Sequence, residues 1–453
     1  LMGEEASPYF CDWTGAFKTV PGMVAFPDST EQVSHLLSFC SAQAIGVVPQ
    51  GGLTGLVGGG VPRSPNELVI NLSKMDQILE VNKEHAIASL EAGVILETAD
   101  KELSAHNLMM PVDLGAKGSC QIGGLLACNA GGTRFRRYGS LHANCNGLEV
   151  VLPDGMVLDL RRSRLLRKNN TGLDLKHLFI GSEGTLGIIT KADILCPQVP
   201  KETMVALISL NSWEQVVKTF QAALDQIGDS MAAFEFWDGE SEELVSKHAA
   251  RTLKRPTGQF NVLVEVHGQA NMDRALESFL ETISSRSMIV DAMIAYDKTQ
   301  SDSIWAVRES ITESCAKEGL VFKYDISLPL PTMYAIRRFV QESFGATVKV
   351  VGFGHVGDGN IHLNVIAPRD IANSAELKMA VDRVVYDYVY KANGSISAEH
   401  GIGQLKLSEY MRSVEPSKLF VSQLIKQQLD PFAIMNPGKL FKYTGATNVQ
   451  LEI

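Results

Sequence analysis

An α+β protein of two domains with a small C-terminal helical segment is predicted from three observations. At 453 residues the chain is too long for one ordinary core. Between Gln50 and Ile189, strand-like apolar runs alternate with three glycine-rich loops. After Cys196-Pro197-Gln198-Val199-Pro200, strand and helix patterns alternate with Asp, Ser and Asn at the helix starts, as in an antiparallel sheet covered on one face by helices. The expected organisation is an extension at 1–21, a first domain at 22–197, a second at 198–404 and a helical segment at 405–453.

Ser29-Thr30-Glu31 is a capping sequence for an amphipathic helix running to Gln43, with Val33, Leu36, Leu37 and Phe39 at helical spacing. Ile45 to Pro49 reads as a buried strand that feeds directly into Gln50-Gly51-Gly52-Leu53-Thr54-Gly55-Leu56-Val57-Gly58-Gly59-Gly60. Such a loop exposes successive backbone N–H groups that can cradle a pyrophosphate, and side chains in place of its glycines would hold the phosphates away. No Gly-Lys-Ser/Thr ends it, and it is not the Gly-x-Gly-x-x-Gly of a nicotinamide-binding turn. A strand at Glu67 to Leu72 follows, so a flexible linker is the weaker account.

The second glycine-rich region spans Pro111 to Gly139, and the third is Gly181-Ser182-Glu183-Gly184-Thr185-Leu186-Gly187-Ile188-Ile189. One long, flat, phosphate-bearing ligand laid across several strand ends accounts for all three. Within the second region Gly123 to Ala130 is expected to form turns over a buried strand. Leu148 to Leu152 and Met156 to Leu160 flank Pro153-Asp154-Gly155 as a hairpin.

In the second half, strands are expected at Met204 to Leu210, Ala232 to Trp237, Gln259 to His267 and Leu320 to Leu328. Helices are expected at Trp213 to Ile227, Ser241 to His248, Asp273 to Ser284, Ile304 to Glu318 and Pro331 to Phe344. A hairpin closes the sheet, with Gly354-His355-Val356-Gly357-Asp358-Gly359-Asn360-Ile361-His362 placing His355 and His362 at one mouth. A long helix, Ala375 to Lys391, leads to a further cluster, Ser397-Ala398-Glu399-His400-Gly401.

Two imidazoles and a carboxylate with one position open are the ligand set of a catalytic rather than a structural zinc site. A hydrogen-bonded turn or core residue is the plainer account of any one of these histidines, and Asp358 could itself be a ligand, although between two glycines it reads rather as a turn residue. Leu405 to Leu429 is helical and ends at Asp430-Pro431, before a compact turn at Ile434 to Lys439.

Composition narrows the partners. Apolar content of 45% and charged content of 20% describe a soluble globular protein, and no run reaches the length of a membrane span. A net charge of −10 argues against nucleic acid, so an anionic ligand must be drawn by a local basic cluster. Seven cysteines without a Cys-x-x-Cys pair point to a reducing compartment. Leu1 to Pro8 reads neither as a secretory signal nor as an Arg-rich transit peptide.

Placed in order, these pieces resemble the flavoprotein 2-hydroxy acid dehydrogenases of the vanillyl-alcohol oxidase and para-cresol methylhydroxylase type, from about Pro21 to Lys439. The motifs that carry the resemblance are Pro49-Gln50-Gly51-Gly52-x-Thr54-Gly55, Asp113-Leu114-Gly115-Ala116-Lys117-Gly118-Ser119, Asn129-Ala130-Gly131-Gly132, Gly181 to Gly187, Gly354 to His362, Ser397 to Gly401 and Asn436-Pro437-Gly438-Lys439.

The resemblance implies a two-lobed FAD-binding domain. Its FAD would be contacted by Gln50, Gly51, Gly52, Leu53, Thr54, Gly55, Leu56, Pro111, Leu114, Gly115, Gly118, Ser119, Ile122, Gly123, Gly124, Asn129, Gly131, Gly132, Tyr138, Gly139, Glu183, Gly184, Ile189 and Asn436. Some relatives tether FAD through a histidine; none occurs in Gln50 to Gly60 or Pro111 to Gly139, so non-covalent FAD is expected.

It further implies Zn2+ or a similar divalent ion on His355, His362 and Glu399, with His400 as the base and a substrate contact. The implied reaction is oxidation of a D-2-hydroxy acid by hydride transfer to the flavin, with an electron-transfer flavoprotein or a quinone pool as acceptor. A homodimer is compatible with it. The mitochondrial matrix is the implied compartment and the cytoplasm the alternative.

Members acting on D-2-hydroxyglutarate hold the distal carboxylate with an arginine, a threonine one helical turn later and a lysine. These match Arg308, Thr312 and Lys323, with Asn364 on the strand face of His362. Arg308 could instead pair with Glu309 or Glu313 at the surface, and Lys323 could be a solvated strand residue. The alternatives are D-lactate or another short D-2-hydroxy acid as substrate, and a non-catalytic flavin-binding subunit. Leu53, Ile402 and Leu405 depart from the usual choices and bear on fine tuning only.

Overall fold

In the computed structural model, which describes residues 1–161, 166–249 and 258–442, the apolar runs of the first part pair into two small sheets. β1 (Met23–Ala25), β2 (Val47–Gln50) and β3 (Leu68–Asn71) lie parallel in the order β1-β3-β2. α1 (Thr30–Ala42) joins β1 to β2; Ser29 Oγ caps it by accepting the Gln32 N–H at 3.4 Å, and Val33, Leu37 and Cys40 are buried. β4 (Ile78–Asn82), β5 (Ile87–Glu91), β6 (Cys145–Val151), β7 (Val157–Asp159) and β8 (Ile188–Leu195) form an antiparallel sheet ordered β4-β5-β8-β6-β7. The hairpin expected around Pro153-Asp154-Gly155 is β6–β7.

α2 (Leu96–Ser104) and α3 (Ile122–Cys128) share a core with β5 and β8. α3 replaces the turns expected at Gly123 to Ala130. Gly123 marks close packing rather than chain reversal, since a Cβ there would lie 2.7 Å from that of Ala92. Leu125 and Leu126 are buried, and Asn129 ends the helix in the left-handed conformation. The short α4 (Phe135–Tyr138) and α5 (Leu141–Asn144) follow.

By its contacts the chain divides into two units: Leu1–Gly132, Gly139–Val199 and Glu399–Ile453 form the first, Thr133–Tyr138 and Pro200–Ala398 the second. The second unit is built from β9 (Glu202–Leu210), α6 (Trp213–Ile227), β10 (Met231–Asp238), α7 (Gly239–Ala249), β11 (Phe260–Gly268), α8 (Met272–Ser285), β12 (Asp291–Ala295), α9 (Lys298–Glu318), β13 (Leu320–Ser327), α10 (Ala335–Phe344), β14 (Lys349–His355), β15 (Asn360–Ala367) and α11 (Ser374–Lys391). Its seven strands are antiparallel in the order β12-β9-β11-β10-β14-β15-β13.

Helices cover this sheet on both faces, not on one. Phe234 and Phe236 pack on Phe220 and Trp213 of α6, whereas Trp237 shares a core with Leu244 of α7 and Ile304 of α9. All eight residues of β10 are buried, and a strand covered on both sides reads as a continuous apolar run instead of an alternating one. α9 begins at Lys298, six residues before the expected Ile304. Asp297 Oδ1 caps it by accepting the Gln300 N–H at 2.8 Å, and the polar first turns gave no apolar periodicity.

Glu399 returns the chain to the first unit, where α12 (Leu407–Ser413) and α13 (Pro416–Leu429) replace the single helix expected. Pro416 takes the first position of α13 and holds Glu415 extended, which breaks the run. The terminal turn then pairs with β2: Val47 N–H donates to Ile434 O at 2.7 Å and Asn436 N–H to Val47 O at 2.8 Å. Residues 443–453 of the expected C-terminal segment lie outside the described residues.

Candidate active site

In the first unit the first and third glycine-rich loops are tied together by side chains that the sequence marked as cofactor contacts. Gln50 Nε2 donates to Tyr9 O at 2.9 Å and to Gly60 O at 2.8 Å, closing the loop that begins at Gly51, and its Oε1 accepts from Asn71 Nδ2 at 3.0 Å. Asn436 Nδ2 donates to Gly59 O at 3.1 Å and to Glu183 O at 2.7 Å, so the terminal turn staples the first loop to the third. Glu183 in turn accepts the N–H groups of Ile402 and Gly403, each at 2.7 Å.

The first and second loops also touch directly. A Cβ on Gly52 would lie 1.9 Å from Ser119 O, so only glycine fits there. Leu53, Asn129, Glu183 and Asn436, all expected at the cofactor, hold left-handed backbone conformations. Such strain in non-glycine residues gathers at ligand-binding loops.

Two further observations fit a polar cofactor here. The buried Gln121 Oε1 has no hydrogen-bond partner among the described residues, and a Cβ on Gly51 would sit 3.3 Å from it. Gly55, Gly115 and Gly124 face open space, while Gly131 and Gly132 lead to Glu399, whose Oε1 accepts the Gly132 N–H at 2.9 Å. Thr54, Leu56, Pro111, Leu114 and Gly118 belong to the same loops, Ile122 opens α3, Gly139 follows α4, Gly184 precedes β8 and Ile189 lies within it. Tyr138 differs from the rest. It lies in the second unit, its hydroxyl 2.8 Å from His267 Nδ1.

Lys439 is missed by sequence reasoning as a side chain of consequence. It is 1% exposed, donates to Asn436 Oδ1 at 2.7 Å, and burial pushes its ammonium down to about 7. Because this lies below the unfolded value of about 10.4, the unfolded chain binds the extra proton between the two, and stability rises with pH across that window. Chemical denaturation of wild type and Lys439→Met is expected to show the stability difference moving in favour of wild type from about pH 6 to about pH 9. Parallel pH dependences would refute it.

In the second unit the strand register gathers the expected residues on one face. Lys323 is opposite Asn364 and Asn364 opposite Val351; Asp325 is opposite His362 and His362 opposite Phe353; His355 is opposite Glu235. The two imidazoles meet with their Nε2 atoms 3.2 Å apart. Behind each lies a carboxylate: Glu235 Oε1 is 2.6 Å from His355 Nδ1, and Asp325 Oδ1 is 3.6 Å from His362 Nδ1. Asp325 Oδ1 also accepts from Asn360 Nδ2 at 2.8 Å. Asn364 is buried beside this pair, its Nδ2 3.4 Å from His362 O.

Arg308 does not pair with Glu309 or Glu313. It is 8% exposed and reaches Glu235 Oε2 through Nε at 3.1 Å and Nη2 at 2.9 Å, its guanidinium 4.7 Å from the Phe353 ring centroid. Burial by itself would raise the Glu235 carboxyl; the electrostatic and hydrogen-bond interactions with His355 and Arg308 outweigh it and hold the group below the usual carboxylate range. Lys323 is half-buried rather than solvated, and burial depresses its ammonium. Thr312 lies one turn beyond Arg308 on α9 and is exposed. Glu399 and the half-buried His400 belong to the first unit.

Glu235 and Asp325 went unread in the sequence because no spacing links them to histidines far along the chain. The signal available was a carboxylate inside an apolar strand, which must find partners.

Among the described residues no helix is long and apolar enough to cross a membrane. A family model described as an FAD binding domain matches residues 21–161, and one described as FAD linked oxidases, C-terminal domain, matches residues 199–440. The chain is 43% identical over 436 residues to an Oryza sativa subsp. japonica protein named probable D-2-hydroxyglutarate dehydrogenase, mitochondrial, covering 95% of this chain and 77% of that one. It is 42% identical over 445 residues to a Schizosaccharomyces pombe protein named putative D-lactate dehydrogenase, mitochondrial, covering 94% and 83%. A structure of p-cresol methylhydroxylase with substrate bound shares the fold, with a TM-score of 0.76 at 16% identity over 96% of this chain and 92% of that one. The chain therefore belongs to the D-2-hydroxyglutarate dehydrogenase family of FAD-linked oxidases, within the vanillyl-alcohol oxidase and para-cresol methylhydroxylase superfamily, and is an FAD-dependent oxidoreductase.

Proposed function

We propose that the chain oxidises D-2-hydroxyglutarate to 2-oxoglutarate. Non-covalent FAD is held by the glycine-rich loops of residues 22–197 and by Asn436, and a divalent ion such as Zn2+ by His355 and His362 with Glu399 as third ligand. The observation that carries this reading is the opposed imidazole pair, Nε2 to Nε2 at 3.2 Å with a carboxylate behind each ring. With His355 Nδ1 engaged by Glu235, its Nε2 faces that of His362, an arrangement in which one cation can take a lone pair from each ring. When bound, FAD supplies a two-electron acceptor and the metal a Lewis acid for the 2-hydroxyl and its carboxylate, chemistry that side chains lack.

The residues of the chain bind, orient and move one proton. Arg308 and Lys323 hold the distal carboxylate, with Thr312 at the end of the same helix face; a planar guanidinium and an ammonium suit a second anionic group. Arg308 bonds Glu235 through Nε and Nη2, leaving Nη1 for the substrate. Asn364, on the strand face of His362, orients the substrate, and His400 takes its hydroxyl proton. An electron-transfer flavoprotein or a quinone-linked carrier accepts the electrons, and the mitochondrion is the compartment, after the names of the relatives.

D-lactate is the second reading, favoured by the name of the fission-yeast relative. Both are tested by mixing the protein anaerobically with D-2-hydroxyglutarate, D-lactate or D-malate and following loss of flavin absorbance. Fastest bleaching by D-2-hydroxyglutarate, slowed by a zinc chelator, is expected. Fastest bleaching by D-lactate would replace the substrate, and no bleaching by any D-acid would end the proposal.

A further inference from the structure

Glu235 lies mid-strand between Phe234 and Phe236 and is 1% exposed. A carboxylate so buried is tolerated only with partners at both oxygens, and here the partners differ. Oε1 faces His355 Nδ1 from the adjoining strand, and Oε2 accepts from Arg308 Nε and Nη2 of α9.

We propose that Glu235 is a positioning residue that joins the two halves of the site. It holds His355 in the tautomer whose Nε2 carries no proton and can bind a metal ion, and it holds Arg308 in place for the second carboxylate of the substrate. The inference rests on the metal and diacid reading above.

The argument is one of donors and acceptors. Arginine only donates, whereas imidazole donates or accepts according to tautomer. A carboxylate accepts at both ends, so a neutral His355 must carry its proton on Nδ1, which leaves the lone pair on the Nε2 that faces His362. A glutamine of the same size accepts at one end only. Arg308, stacked on Phe353 and unable to accept, takes that oxygen. The amide NH2 is then turned to His355, which can meet it only by accepting at Nδ1 and carrying its proton on Nε2. An Nε2–H does not ligate a metal, so the isosteric change disables a ligand it leaves in position.

Two consequences distinguish this from a packing role. Glu235→Asp keeps two accepting ends and retains metal better than Glu235→Gln. Arg308→Met added to Glu235→Gln frees the glutamine oxygen to accept from His355 Nδ1, so the second substitution restores metal binding that the first removed.

The test equilibrates purified, flavin-loaded protein with Zn2+ against graded chelator and reads bound zinc by elemental analysis, independently of turnover. Glu235→Gln is expected to hold zinc about 10–100-fold more weakly than wild type, and the double variant to return to within about threefold of Arg308→Met alone. In zinc-free wild type, 15N shifts of labelled histidine are expected to show a protonated Nδ1 and a bare Nε2 at His355, a measurement that needs no variant.

Wild-type zinc affinity in Glu235→Gln, a double variant no better than the single one, or a protonated Nε2 in wild type would each overturn the inference. If wild type and His355→Ala bind zinc alike, the metal reading itself falls. That result is distinct from a normal wild type beside an indifferent Glu235→Gln.

Discussion

Replacing His400 by asparagine is expected to lower kcat for D-2-hydroxyglutarate by about two to four orders of magnitude, the range that a positioned base contributes. Flavin content and zinc retention should stay at wild-type values. The loop that carries His400 is organised by other atoms: Glu183 accepts the N–H groups of Ile402 and Gly403, and Gln404 N–H and its side-chain amide bond Val57 O, Gly58 O and Val61 O. These bonds hold the backbone on which the ring stands. A variant that keeps its rate within about tenfold would move proton removal to another group. One that loses flavin as well would show a structural rather than a chemical role.

The parts of this molecule legible in the sequence are those whose information is local. α6 was readable because Ser212 caps it and Val216, Phe220, Ala223 and Ile227 recur at helical spacing, and the β14–β15 hairpin because its turn glycines interrupt two apolar runs. Period-two alternation also put Asn364 and His362 on one face before any register was known. What was hidden is non-local. Glu235 acquires its meaning from His355 and Arg308, which a strand pairing and a helix packing bring to it from distant parts of the chain. Gly123 of α3 was misread for the same reason: it answers to Ala92 on the far side of a packed contact, not to its sequence neighbours. Side-chain economy was hidden too, since Gln50 and Asn436 spend their amides tying loops together.

Lys323→Met should raise KM for D-2-hydroxyglutarate by about 10–100-fold, the worth of a charge-assisted hydrogen bond of roughly 1.5–3 kcal/mol, and leave KM for D-lactate nearly unchanged. Methionine keeps the length and apolar stem of the side chain, so β13 should keep its register with β15, in which residue 323 faces Asn364. The wild-type pH dependence carries a second signature. Burial depresses the Lys323 ammonium below the ordinary lysine value, so the free enzyme loses this charge at lower pH than a solvated lysine would. A bound carboxylate favours the charged form and pulls the value back up, so binding of the diacid takes up a proton on the alkaline side. KM for D-2-hydroxyglutarate should accordingly climb as pH rises past the depressed value, while KM for D-lactate stays flat, and the climb should be absent in Lys323→Met. Equal losses for the two acids would take carboxylate recognition away from Lys323 and favour the short hydroxy acid as substrate.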